Sequence, residues 1–133
     1  MTRFQRIMLA VAFVLSPAAM AQTAAPMTPA QAVAAAESGE VTGVFEFVVG
    51  STGASGFNAY LNSAANYKDA GNLTIELHAA AINALKERLG AFPQDVLTGK
   101  RVRVKGVARR VPVGRYFQTR IAVDTADQIE IGG

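Results

Sequence analysis

From residue 41 onward the chain alternates apolar and polar positions in short bursts separated by glycine and asparagine. Val41, Gly43, Phe45, Phe47 and Val49 fall on one side of a two-residue period, with Thr42, Val44, Glu46 and Val48 on the other. That period predicts a strand over 41–50, made of the β-branched and aromatic residues that pleated sheets favour. A shorter strand is expected over 58–62, with Ala59 and Leu61 facing one way and Tyr60 and Asn62 the other. A third over 72–77 turns Leu73, Ile75 and Leu77 inward and Thr74 and Glu76 outward. Between them, Ser51 to Gly56 reads as a flexible loop and Ser63 to Gly71 as a turn-rich connection. The period then lengthens. Ile82, Leu85 and Leu89 recur at helical spacing, with Lys86, Glu87 and Arg88 on the wet side and Gly90 placed as a C-cap. Phe92-Pro93 opens a connecting loop that Leu97 plugs.

Two long strands close the pattern. Val102 and Val104 alternate with Arg101, Arg103 and Lys105, after which the apolar parity moves to Val107. A parity change at Gly106 predicts a bulge or a sharp bend. Residues 111–115 form a turn. Beyond it Phe117, Thr119, Ile121 and Val123 make an inner face opposed by Tyr116, Gln118 and Arg120, and 128–131 supply a last short strand.

The N-terminal stretch follows a different logic. Arg3 and Arg6 precede an apolar run from Ile7 to Leu15, Pro17 interrupts it, and Ala19-Met20-Ala21 offers small residues at a cleavage site. This is the build of a secretory signal peptide over 1–21. The apolar run is shorter than the roughly 20 residues a membrane span needs. Export to the periplasm or beyond is therefore expected, and no cysteine is present to carry a lipid or a disulfide. Removing Arg3 and Arg6 reduces the formal charge from +3 to +1, so the exported part is close to neutral. Residues 22–27 read as a flexible linker. Thr28-Pro29-Ala30-Gln31 has the capping-box form of a helix start, giving a short N-terminal helix over 28–39 ahead of a single domain over 40–133.

Three strands, a helix and two strands is the order of an OB-fold, a mainly β, five-stranded Greek-key barrel with a helix between strands 3 and 4. Tyr60-Leu61-Asn62-Ser63, Asn66-Tyr67-Lys68-Asp69, Leu73-Thr74-Ile75, the Gly99–Gly106 segment of form GKxVxVxG, and Asp127-Gln128-Ile129-Glu130-Ile131 carry a local likeness. On these residues the chain resembles small bacterial OB-fold proteins of the nucleic-acid-binding type over about residues 40 to 131. Its architecture of signal peptide, short helix and barrel is also similar, more loosely, to the exported bacterial OB-fold (BOF) family. The resemblance implies a closed barrel that holds ligands on the strand 2–3 surface, between the loops near 51–57 and 112–115.

Eight basic residues and no acid lie between Lys100 and Arg120, with Tyr116 and Phe117 among them. Guanidinium groups suit phosphates, and an aromatic ring suits a stacked base. The competing interpretation is a solvated outer face whose charges also keep strand edges from pairing. The candidate ligand-binding set is Tyr60, Asn62, Tyr67, Arg101, Arg103, Lys105, Arg115, Tyr116, Gln118 and Arg120. The glycine-rich 51–56 segment lacks the Gly-Lys-Ser/Thr of a phosphate loop. His78, the only histidine, is expected to cap the following helix or make a surface contact. The ten acids are scattered along the chain, with no converging catalytic set and no call for a metal or cofactor. Two functions remain open. One is a non-catalytic exported module binding single-stranded nucleic acid or another anionic polymer. The other is an envelope-stress or interaction protein that takes a protein partner or small ligand on the same face.

Overall fold

The computed structural model describes residues 25–132. The expected signal peptide lies outside the described residues. None of the described helices is long and apolar enough to cross a membrane.

Helix α1 (Pro29–Ala36) begins with the expected capping box: Thr28 N–H donates to Gln31 Oε1 at 2.9 Å and Gln31 N–H donates to Thr28 Oγ1 at 3.2 Å. Its alanines let it lie close to the sheet, and Ala32 is fully buried in the core. The segment before it is pinned as well. Met27 bridges Phe45, donating its N–H to Val44 O and accepting from Glu46 N–H.

Strand β1 (Val41–Val48) pairs antiparallel with β5 (Arg101–Val113), from Val48 opposite Arg101 to Val41 opposite Ala108. Strands β2 (Ser51–Ser55) and β3 (Asn58–Asn62) form a hairpin, and β3 pairs antiparallel with β4 (Leu73–Leu77). Helix α2 (Ala79–Leu89) and the single turn α3 (Pro93–Val96) cross over to β5. Strand β6 (Tyr116–Val123) folds back on β5 and lies parallel to β4. A 3-10 turn (Ala126–Gln128) leads to β7 (Ile129–Ile131), which pairs with the first half of β5. The result is a mainly β protein with one mixed, seven-stranded sheet, ordered β1-β5-β6-β4-β3-β2 with β7 beside β5.

Three expectations about strand pairing need correction. The sheet has seven strands, and its path ends at β1 and β2 without closing into the expected five-stranded barrel. The two ends of that path meet in sequence at Gly50. Val49 N–H still bonds to Lys100 O on the β5 side, whereas Gly50 N–H bonds to Asn62 O on the β3 side, so the chain changes partner there. A Cβ on Gly50 would stand 2.6 Å from the Ser63 carbonyl oxygen, which is why glycine occupies the switch. Second, 51–55 is a strand, not a flexible loop, because β3 supplies the pairing its own composition does not advertise. Third, the β1–β5 register runs without interruption through Gly106, and Ala108 is buried in phase with Val102 and Val104. There is no bulge. Gly106 instead admits Ile121, whose Cγ2 lies 2.8 Å from where a Cβ would sit.

The core joins Phe45, Phe47 and Val49 of the β1 segment to Leu61, Leu73, Ile75 and Leu77, to Val102, Val104, Ile121 and Val123, and to Leu85 of α2. Leu97, only 1% exposed, plugs its end as expected. Gly90 ends α2 in the left-handed conformation at φ 76°, where glycine meets no Cβ penalty. Phe117 departs from its expected inner position. It keeps inward parity but lies beyond the edge of the core, exposed, with the Arg110 guanidinium 3.8 Å above its ring.

Candidate functional site

The face opposite the core is set by register. Gly53 lies opposite Tyr60, Tyr60 opposite Glu76 and Asn62 opposite Thr74, while the parallel ladder places Arg120 beside Thr74. On β5, Val113 lies opposite Tyr116 and Val111 opposite Gln118. All of these except Glu76 and Val111 line a cavity of about 420 Å³. Its walls are β2, the Tyr67 loop and the β5–β6 hairpin; its floor is Asn62, Thr74 and Gln118, which are all buried. Cavities of several hundred Å³ with aromatic walls and a few polar groups are the usual form of a small-molecule site.

Six of the expected residues meet here: Tyr60, Asn62, Tyr67, Tyr116, Gln118 and Arg120. Four do not line it. Arg101 and Arg103 sit elsewhere, both held by Glu46 at 3.2 and 2.9 Å. The hydrogen bond from Arg103, with Arg101 beside it, holds the Glu46 carboxyl below the usual carboxylate range. Lys105 is exposed farther along the same strand, and Arg115 is exposed at the hairpin turn. Arg101, Arg103 and Lys105 therefore stand apart from the aromatic cavity that Arg120 lines, and the basic run is partly neutralised, since Arg109 also approaches Glu40 at 3.5 Å.

A hydrogen-bonded chain underlies the floor. The Tyr67 carbonyl accepts from Asn72 Nδ2 at 3.1 Å and from Gln118 Nε2 at 3.3 Å, tying the 63–72 connection to β6. Gln118 Oε1 accepts from Arg120 Nε at 2.6 Å, and Arg120 Nη1 donates to Glu76 Oε2 at 3.3 Å. The Arg120 guanidinium also lies 5.3 Å from the Tyr60 ring centre, within cation–π range. Thr74, expected to face outward, is 1% exposed because this chain covers it.

The chain continues to a cluster that the sequence did not disclose. His78 lies between Asp124, 2.6 Å from Nδ1, and Glu76, 3.1 Å from Nε2. It occupies the N-cap position of α2 without capping it. The only signal for the cluster is the parallel register that sets the end of β4 beside the end of β6, and no local spacing reveals that. Among the described residues, no hydroxyl hydrogen-bonds to His78, and neither this cluster nor any other group of three or more such side chains is arranged to hold a metal ion. The hydrogen bonds to Asp124 and then Glu76 raise the His78 pKa above 6.5. A raised folded pKa contributes stability that is complete below the unfolded value and disappears as pH rises through the folded one. Denaturation midpoints should therefore fall on passing from pH 6 to pH 8, and His78→Gln should flatten that part of the profile. Equal slopes in the two proteins would show that the cluster has no energetic role.

No protein-family model matches the chain, and no curated protein matches it significantly.

Proposed function

We propose that this protein is an exported, non-catalytic binding module of OB type that holds a small polar ligand, or a short segment of a partner, in the cavity between β2, β3, β4 and β6. Three features support the OB-type reading. The two ends of the sheet path, β1 and β2, are separated in sequence only by Val49 and Gly50; β4 and β6 are parallel; and α2 stands between β4 and β5. Ligands of that architecture bind on the corresponding face. Export to the periplasm or outside rests on the residue pattern of 1–21.

The observation that carries the functional reading is the convergence of Tyr60, Tyr67 and Tyr116 over a floor of buried amide and hydroxyl groups. Aromatic faces supply contact area at low entropic cost, and fixed polar groups supply orientation. The sole charged residue of the lining, Arg120, is already paired with Glu76, which favours a neutral or weakly charged ligand over a polyphosphate.

Gly53 gives a direct test. A Cβ there would meet nothing within 4 Å, and its backbone suits any residue. Gly53→Val should leave the unfolding midpoint nearly unchanged while abolishing ligand capture from an extract of the producing cells, followed by mass spectrometry of bound small molecules and peptides. Identical bound species on both proteins would remove the cavity from consideration.

A second reading, binding of single-stranded nucleic acid or another anionic polymer, is favoured by one observation. Lys68, Arg110 and Arg115 carry no ion pair among the described residues, and Lys68 and Arg110 stand over the exposed rings of Tyr67 and Phe117. Neutralising three phosphates should give a log affinity that falls with log salt at a slope of roughly −2. No oligonucleotide binding at low salt would eliminate this reading.

A further inference from the structure

Counting the protons on the cavity floor shows which atoms are left for a ligand. Asn72 Oδ1 accepts from Ala64 N–H at 3.0 Å, so its amide orientation is fixed, and Nδ2 must donate to the Tyr67 carbonyl and to Thr74 Oγ1, at 3.1 and 2.9 Å. Thr74 therefore uses a lone pair toward Asn72. Its single proton goes to Asn62 Oδ1 at 2.7 Å, which also takes a longer bond from Asn72 Nδ2. That orients Asn62 with its oxygen inward and its NH₂ toward the cavity. Asn62 is 4% exposed, and Nδ2 has no partner among the described residues.

Gln118 is fixed by the same accounting. Its Nε2 faces the Tyr67 carbonyl, which leaves Oε1 to accept from Arg120. The floor's acceptors are thus all engaged, and what remains is an amide donor that opens onto the cavity beside the guanidinium donors of Arg120. Open to the cavity, that donor is within reach of water, and a ligand that displaces the water must replace its hydrogen bond, so the site is complementary to a ligand that supplies an acceptor.

Building on the binding function proposed above, we infer that the cavity selects a ring-bearing neutral ligand that presents a carbonyl oxygen to Asn62 Nδ2, with its ring against the tyrosines. Two ligand sources share that chemistry, an N-acetylated sugar and a pyrimidine base. A carboxylate would compete with Glu76 for Arg120, and a polyol hydroxyl that accepted from the amide would bring a proton for which the floor holds no free acceptor, whereas a carbonyl brings none.

The test uses the full chain, purified as the cell processes it and labelled with ¹⁵N, titrated with two matched pairs. One pair is diacetylchitobiose and cellobiose; the other is thymidine and a phenyl deoxyriboside that keeps the ring and lacks the carbonyls. The expected result is a shift of the Asn62 side-chain NH₂ signals with the carbonyl member of one pair, and binding at least about tenfold weaker for its match. The pair that responds identifies the source. Asn62→Asp, which still accepts from Thr74 and replaces the donor with an acceptor, should erase the preference. Equal binding of both members of a pair in the cavity would overturn the carbonyl inference and leave the binding module standing. No response to any of the four probes would overturn the inference too, while capture blocked by Gly53→Val would still report separately on the module.

Discussion

Phe45→Ala should lower the unfolding free energy by about 3–5 kcal/mol, the usual cost of emptying a phenylalanine site in a packed interior. Phe45 is fully buried opposite Val104, and the backbone groups on either side of it, Val44 O and Glu46 N–H, make the bridge to Met27 that ties the N-terminal segment to β1. The ring thus sits where α1, β1 and β5 meet. A domain of this size has a total stability of roughly 5–15 kcal/mol, so the variant should stand near the edge of folding at 37 °C. No disulfide offsets the loss. Urea unfolding should show a reduced midpoint with an unchanged slope, and Val48→Ala, at a position 44% exposed on the same strand, is the control. A Phe45→Ala cost no greater than the control's would show that this junction does not organise the core.

The same strand illustrates what is legible in a sequence and what is not. The inward set of Phe45, Phe47, Val49, Val102, Val104, Ile121 and Val123 follows from a two-residue period, and periodicity is local information. Ser51 to Ser55 has no apolar alternation at all. Only its partner β3 makes it a strand, and strand formation of that kind depends on tertiary context more than on residue preference. The change of partner at Gly50 was equally hidden, because a glycine says that something comes close without saying what. Phe117 kept the right parity and failed on depth, since parity cannot report where a core ends.

For the site, Tyr60, Asn62, Tyr116, Gln118 and Arg120 were foreseeable from parity plus the resemblance, and register brings them to one cavity. The basic residues of β5 could not be weighed in isolation. Arg101 and Arg103 meet Glu46 more than fifty positions away in the chain, and antiparallel pairing of β1 with β5 makes that meeting unavoidable. Charge runs therefore say little until the opposite strand is known. Here it carries the neutralising acid, which moves the electrostatic argument away from Arg101 and Arg103 and toward Lys68, Arg110 and Arg115 near the hairpin.

Asn72 connects stability to the site, and Asn72→Ala should cost about 2–4 kcal/mol, since each buried polar group left without a partner costs roughly 1–3 kcal/mol and the losses are not additive. The side chain is 2% exposed and satisfies Ala64 N–H, the Tyr67 carbonyl and Thr74 Oγ1 at once. Asn66→Ala is the matched comparison. Asn66 Oδ1 accepts from Lys68 N–H in the same connection, yet it is exposed, so water replaces the lost bond and the cost should stay below about 1 kcal/mol. The two variants differ in a second respect. Without Asn72, the Thr74 hydroxyl is no longer obliged to donate to Asn62, whose amide can then rotate, and the Tyr67 wall is held only through Gln118. Hydrogen exchange at Ala64 and Leu73 should accelerate in Asn72→Ala and remain slow in Asn66→Ala, with ligand capture weakened only in the former. If the two variants are equally mild, the preorganisation of the floor must come from strand packing, because the hydrogen-bonded chain would then be a consequence of the fold and not its support.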